Sequence, residues 1–136
     1  MASIYAKFIV EIAGKPVENV EKALKAVSEQ LEEQKDDFKV VECHIEKPVL
    51  DEKSTLYAGF LDIELKFKEF NKIFGFILDY TPTSIEIIEP EKIEFSVSDL
   101  NTHLNEVAVS TLKTQGQLRQ LNAYAISLKK QLEEKK

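Results

Sequence analysis

The chain has 136 residues, of which 43% are hydrophobic and 31% are charged, proportions typical of a folded globular protein rather than a disordered one. Its net charge of −6 is unevenly distributed, because residues 1–97 carry 12 Lys/Arg and 20 Asp/Glu whereas residues 98–136 carry six and four. An acidic body repels phosphate groups, so duplex nucleic acid is not an expected partner.

Membrane insertion and secretion are not expected either. No apolar run approaches the ~20 residues of a membrane span, and the first residues lack the basic, apolar and small-residue order of a signal peptide. The single cysteine, Cys43, excludes an intramolecular disulfide and a four-cysteine metal site. We therefore expect a cytoplasmic protein.

The first part of the chain alternates between strand and helix patterns. Residues 3–12 predict a half-buried strand, with one face formed by Ile4, Ala6, Phe8, Val10 and Ile12. A turn follows at residues 14–16, and apolar residues spaced three and four apart then predict a helix ending near residue 34: Val17, Val20, Leu24, Val27 and Leu31. Residues 38–46 predict a second strand with three inward side chains, Val41, Cys43 and Ile45, before a polar connection over residues 47–54.

The order of elements then repeats. Residues 55–67 predict a third strand with an inward face of Tyr57, Gly59, Leu61, Ile63, Leu65 and Phe67. Residues 68–79 predict a second helix, which ends before Pro82 because the residue preceding a proline avoids helical geometry. Residues 84–89 predict a fourth strand with Ile85 and Ile87 inward, extended by the alternation of Ile93 and Phe95. The predicted fold is an α+β, ferredoxin-like βαββαβ sandwich, in which both helices cover one face of an antiparallel sheet.

The last 39 residues predict one long helix, capped by Ser98 or Asp99. Ten positions, which we call the seam, recur with an unbroken alternation of four and three residues: Leu100, Leu104, Val107, Thr111, Thr114, Leu118, Leu121, Ala125, Leu128 and Leu132. This repeat is typical of a coiled coil. At 1.5 Å per residue the helix spans roughly 55 Å, more than the roughly 30–35 Å diameter of the preceding globule. We therefore divide the chain into a domain, residues 1–97, and a helix, residues 98–136.

The middle of the seam is its weakest part. Thr111 and Thr114 are polar, and Gly116 beside them destabilises a helix, so the sequence predicts a bend there. We expect Leu104 and Val107, before the bend, to contact the protein's own domain, because they follow the last strand closely and can reach the sheet face that the two helices leave bare. The residues beyond it are expected to serve association: Leu118, Leu121, Ala125, Leu128 and Leu132.

Charged residues on the second and third strands are the first candidates for a chemical site. Glu42, His44 and Glu46 share a strand face, and Asp62 and Glu64 are expected beside them, so they could bind a divalent metal. The same alternation is the ordinary solvent-facing side of a strand, and one histidine among exposed acids lacks the supporting hydrogen bonds that orient metal ligands. We predict no metal site.

Catalytic pairs are also weakly supported. Cys43 adjoins His44, but successive side chains of a strand point to opposite faces, so Cys43 is expected to be a small buried residue. His103 and Glu106, three residues apart on the long helix, are expected to make a surface contact. The sequence contains no nucleophile-elbow, metalloprotease, Walker or paired-cysteine motif. We therefore predict no catalytic residues and no cofactor.

RNA recognition is a further possibility for a ferredoxin-like sheet, through aromatic residues on its open face. Tyr5 and Phe60 could stack on bases there. The residues expected around them are acidic, and the basic aromatic signature of such domains is absent: Glu11, Glu42, Asp62, Glu64 and Glu86. Nucleic acid is not predicted as a partner.

Two functional hypotheses follow from the sequence. The first is a non-catalytic protein-interaction module that self-associates, as a dimer, or binds another helix through the seam. The second is a regulatory domain that senses a small molecule and resembles ferredoxin-like metabolite-binding modules. In that case Gly14 would let the ligand approach the backbone closely, and Lys15 would bind a carboxylate of the ligand. Residues 47–54 would line the pocket together with this turn.

The segment from Tyr80 to Pro90, followed by a long helix, resembles small archaeal proteins of unknown function. The resemblance covers about residues 55–110 and contains no catalytic motif. It implies an archaeal, cytoplasmic protein and assigns no site residues.

Overall fold

The computed structural model describes residues 3–34 and 36–135. Its elements are, in chain order, β1 (Ile4–Gly14), α1 (Val17–Glu33), β2 (Lys39–Asp51), β3 (Leu56–Phe67), α2 (Asn71–Tyr80), β4 (Ser84–Glu89) and α3 (Val97–Glu134). The chain forms two compact units, one extending to Glu94 and one beginning at Phe95. The first unit contains the sheet with α1 and α2, and the second contains α3. The predicted α+β class, with an antiparallel sheet and a long C-terminal helix, is confirmed.

The four strands form one sheet in the order β2-β3-β1-β4, and every neighbouring pair is antiparallel. β1 and β3 pair without interruption, from Ile4 opposite Phe67 to Gly14 opposite Tyr57. β4 is shorter and pairs with residues 5–9 of β1, so that residues 10–14 of β1 continue past its end.

The hydrophobic core lies on one face of this sheet. The inward residues of β1 and β3 pack with Val20, Leu24 and Leu31 of α1 and with Ile73 and Phe76 of α2. Both helices therefore cover the same face, as the sequence predicts. Phenylalanine rings occupy one part of the core, with ring centroids 4.5–6.3 Å apart: Phe8, Phe38, Phe67 and Phe76.

Gly59 allows α1 to approach β3 closely. A Cβ atom at this position would lie 2.5 Å from Leu24 Cδ1 and 3.3 Å from Pro48 Cγ. Because Leu24 is fully buried, its side chain has little room to move away. The position therefore requires glycine for steric reasons.

The predicted geometry of β2 is wrong in two respects. The strand continues through Pro48 to Asp51, so the predicted connection over residues 47–54 is mostly strand, and only residues 52–55 form the turn. Proline is tolerated because β2 is an edge strand. A register shift between Val40 and Glu42 also packs Val40 against the core and leaves Val41 44% exposed, which reverses the predicted orientation of these two residues.

Other differences concern the edges of elements. α2 begins at Asn71 rather than at residue 68, and the predicted strand extension at Ile93 and Phe95 is wrong because no strand follows β4 in the described chain. Ile85 and Ile87 align with Phe8 and Ala6 but remain exposed, since β4 lies at the edge of the sheet.

None of the helices in the described residues is long and apolar enough to cross a membrane.

Candidate interaction surface

α3 begins earlier than the sequence predicts, because its cap is Ser96 rather than Ser98 or Asp99. The Ser96 hydroxyl accepts a hydrogen bond from the backbone N–H of Asp99 at 3.1 Å, and the Asp99 carboxylate lies in the first turn, where it complements the helix dipole. The pattern Ser-x-x-Asp resembles a capping box and could have identified this cap.

α3 is a continuous helix of 38 residues that runs through Gly116. The two threonines of the seam are hydrogen-bonded within the helix: Thr111 Oγ1 donates to the carbonyl of Val107 at 2.8 Å, and Thr114 Oγ1 donates to the carbonyl of Ser110 at 3.0 Å. Their hydroxyl protons therefore need no outside acceptor. The threonines weaken the seam less than the sequence alone indicates.

All ten seam residues are exposed. The exposed fraction is 64% for Leu121 and 66% for Leu132, and the remaining predicted association residues, Leu118, Ala125 and Leu128, are also exposed. Leu104 is 55% exposed and Val107 is 37% exposed, and their predicted contact with the domain stays a prediction. The seam is therefore an apolar stripe accessible along its whole length, the kind of surface that marks an interaction site.

Further large apolar side chains of α3 lie outside the seam, and the sequence analysis missed them. They are exposed to a similar degree: Val109, Leu112, Tyr124 and Ile126. They do not continue the four-three repeat of the seam, so they provide a comparison set on the same helix.

The sheet face opposite the core contains a cluster of three interacting side chains. The Tyr5 hydroxyl donates to the Glu64 carboxylate, and Lys7 Nζ lies 3.3 Å from Glu64 Oε1. The hydrogen bond to Glu64, followed by burial and nearby negative charge, raises the pKa of Tyr5 to about 12. The hydrogen bond from Tyr5, together with Lys7, lowers the pKa of Glu64. The hydroxyl of Tyr5, which the sequence analysis considered as a base-stacking residue, is thus hydrogen-bonded to an acidic side chain.

We expect Tyr5→Phe to raise the pKa of Glu64 towards its ordinary value of 4.5, because the substitution removes the largest cause of the shift. Since the pKa of Glu64 is lower in the folded than in the unfolded state, the ionised Glu64 carboxylate stabilises the folded protein above about pH 4.5. This stabilisation is lost as the pH falls through the folded-state pKa. Because the pKa of Tyr5 is raised in the folded state, its protonated phenol stabilises the folded protein fully below pH 10.0, and this stabilisation is lost as the pH rises through about 12. An NMR titration of the Glu64 carboxyl measures the change.

Tyr57→Phe is the matched control for that titration, because Tyr57 packs against the core and not beside Glu64. A Glu64 pKa that is the same in wild type and Tyr5→Phe would contradict the interpretation.

The remaining candidate groups are not brought together. Glu42 lies opposite Glu64 and His44 lies opposite Asp62, but in the described part of the chain no three His, Cys, Asp or Glu side chains are placed to hold a metal ion. The Cys43 thiol donates to Ser28 Oγ at 3.6 Å, and its side chain packs against the core but is only partly buried, whereas the sequence predicts a buried residue.

On α3, His103 Nδ1 lies 3.8 Å from Glu106 Oε2, so the predicted contact is present, but His103 is buried rather than at the surface.

Gly14 and Lys15 occupy the predicted turn. Gly14 is the last residue of β1, and the exposed Lys15 precedes Pro16 through a cis peptide bond. A Cβ atom at Gly14 would contact Val20 at an ordinary 3.7 Å, and no glycine among the described residues has a positive φ angle. The backbone at this position therefore does not require glycine.

A cleft of about 480 Å³ lies elsewhere on the domain, between the end of β1, α1 and the end of α2. Val10, Ile12 and Val27 contribute apolar surface, and Gln30 and Asp79 contribute polar groups. Neither Gly14 nor Lys15 lines it.

One wall of the cleft is fixed by Tyr80, whose hydroxyl donates to Gln34 Oε1 at 2.6 Å. Burial, together with the charges of Asp79 and Asp37, raises the pKa of Tyr80, so the phenol remains neutral.

Comparison with known proteins relates the chain to a protein family. The sequence model that describes the MJ0538 family matches residues 5–136 of this chain. No curated protein and no solved structure matches the chain. The match agrees with the resemblance to small archaeal proteins, extends it from residues 55–110 to both structural units, and carries no function. Because it runs through the sheet domain and α3 alike, the chain belongs to the MJ0538 family.

Proposed function

We propose that this chain is a non-catalytic interaction module that self-associates through α3. The observation that carries the proposal is the seam: ten positions with an uninterrupted four-three repeat, all exposed, on a continuous 38-residue helix. A repeat of this regularity has no use on a solvated helix, whereas two helices bury it between them.

The magnitudes favour association of moderate strength. Seven seam residues are leucine or valine, and burying what remains exposed of each stabilises a complex by roughly 1 kcal/mol. For two chains this sums to about 14 kcal/mol, and an association cost of about 6 kcal/mol, within the estimated range of about 4–15 kcal/mol, leaves about 8 kcal/mol. We therefore expect a dimer that dissociates on dilution within the micromolar range.

The sheet domain is the second part of the proposal, and we infer a ferredoxin-like fold for it. Counted from the other edge, the strand order is β4-β1-β3-β2 with antiparallel neighbours, and α1 and α2 pack on one face; both features support a split βαβ arrangement. We also propose a cytoplasmic location, supported by the single, free cysteine.

Sedimentation equilibrium of the full chain over the micromolar range tests the proposed function. We expect a reversible monomer–dimer equilibrium. A strict monomer at high micromolar concentration, with its helical content intact by circular dichroism, would exclude self-association.

A second candidate function is small-molecule sensing, and the cleft beside Tyr80 is the observation that favours it, because its volume is in the range of ligand sites. A thermal-shift screen against amino acids, nucleotides and divalent metals tests this function. If the ligand occupies the cleft, Gln30→Leu is expected to abolish the shift and Lys15→Ala to preserve it. The opposite result would locate the ligand at the turn, and a flat screen would count against sensing.

A further inference from the structure

We infer that α3 packs antiparallel against the α3 helix of a second copy of the chain. The two-fold axis of the pair lies at Gly116, so that Gly116 of one copy is at the same height as Gly116 of the other. This inference rests on the proposed function and specifies the orientation and register of the pair. It follows from the order of large and small side chains along the seam.

A parallel pair would place each seam residue opposite itself. Thr111 would face Thr111 and Thr114 would face Thr114 in two adjacent layers, and Ala125 would face Ala125 farther along. Two polar layers followed by an undersized one leave the middle of such an interface poorly packed.

An antiparallel pair removes all three defects. The seam residues alternate between positions a and d of the heptad, and in an antiparallel coiled coil each a position faces a d position of the partner. One register pairs all ten seam residues in this way. In this register Thr111 faces the partner's Leu121, Thr114 faces the partner's Leu118, and Val107 faces the partner's Ala125. The outer layers pair leucines, Leu104 with Leu128 and Leu100 with Leu132. Every small or polar seam residue is thus opposite a larger apolar one.

The hydrogen bonds of the threonines fit this packing. Each hydroxyl proton is donated within its own helix, at 2.8 Å for Thr111 and 3.0 Å for Thr114. The threonines can therefore contact a facing leucine without losing a hydrogen bond made to water.

Charge favours the same orientation. Residues 97–115 carry a net charge of −1, whereas residues 116–134 carry +1. Antiparallel packing brings the acidic half of one helix beside the basic half of the other and opposes the two helix dipoles. Lys129, which flanks the seam, then lies beside the uncharged Asn101 of the partner.

A distance measurement between two spin labels tests the orientation. Lys130→Cys, in a full chain with Cys43→Ala, provides one label in each copy. In the proposed register residue 130 lies opposite residue 102 of the partner, so the two labels are separated by roughly 40 Å along the helix axis. In a parallel pair, with helix axes 8–10 Å apart, the labels would lie within roughly 20 Å of each other.

Cross-linking provides a second readout that depends on different residues. Two Gln115→Cys thiols flank the two-fold axis of the antiparallel pair and are expected to form a disulfide under mild oxidation. Two Leu121→Cys thiols face each other only in a parallel pair and are expected to remain reduced.

The outcomes separate this inference from the proposed function. A dimer with labels roughly 40 Å apart and selective cross-linking at residue 115 supports the antiparallel register. A dimer with labels within roughly 20 Å of each other, with cross-linking at residue 121, or with a distance longer or shorter than expected by about 10 Å, as a one-heptad shift in either direction would give, overturns it. A monomer in sedimentation overturns the proposed function as well.

Discussion

Leu121→Glu combined with Leu128→Glu is expected to make the chain monomeric while the sheet domain stays folded. Both leucines are exposed in the single chain, so glutamate at these positions costs the isolated chain little. In the associated state the same carboxylates would be buried in an apolar interface without partners, at a cost of several kcal/mol per ion. We therefore expect dissociation to become at least about a hundredfold more favourable.

The matched control is Leu112→Glu with Ile126→Glu. These residues are also exposed apolar side chains of α3, but they lie outside the seam. The control adds the same negative charge to the same helix, so it separates burial in an interface from general repulsion. We expect the control to associate as the wild type does.

Sedimentation measures the assembly state of both double variants, and urea denaturation followed by circular dichroism measures whether the sheet domain is folded. If the Leu121/Leu128 variant unfolds the domain without changing the assembly state, the seam serves folding and the proposed function is wrong. Equal loss of association in both variants would mean that the seam is not the contact surface.

Phe67→Ala is expected to lower the free energy of unfolding of the domain by about 3–5 kcal/mol. Phe67 is fully buried, and its ring contacts those of Phe8 and Phe38, with centroids 6.0 Å and 5.5 Å away. Truncation removes these contacts and leaves a cavity that the neighbouring rings can fill only in part. Urea denaturation of wild type and variant measures the loss.

Phe60→Ala provides the comparison, since Phe60 lies on the same strand but is only half-buried and is not part of the core cluster. Its loss should be clearly smaller. Equal destabilisation by the two substitutions would contradict the assignment of the core to one face of the sheet.

The parts of the fold that follow from a regular period were predictable from the sequence. Residues of β1 and β3 alternate without interruption, so the inward positions of Phe8, Leu61 and Phe67 were evident. The orientation of Val40 and Val41 was not, because a bulge inserts one residue and exchanges the faces. The passage of β2 through Pro48 depends on its place at the edge of the sheet, which a local pattern does not reveal.

The candidate surface was predictable to a similar extent. The four-three repeat identified the seam residues, because helical spacing alone determines which side chains share a face. The exposure of Leu104 was not predictable, since burial depends on neighbours distant in the sequence. The contacts of Glu64 with Tyr5 and Lys7 required the register of β1 against β3.

The edges of the sheet bear on how copies of this chain can meet. An open edge strand offers unpaired backbone groups to another chain and is a common route to aggregation. β2 contains Pro48 and has two register shifts, and β4 is only six residues long, carries Glu86 and Glu89, and is followed by Pro90. Each of these features discourages a foreign strand from joining the sheet. With strand addition disfavoured on both sides, we expect concentrated protein to be less prone to form fibrils, and association through α3, as proposed above, would not compete with pairing between sheets.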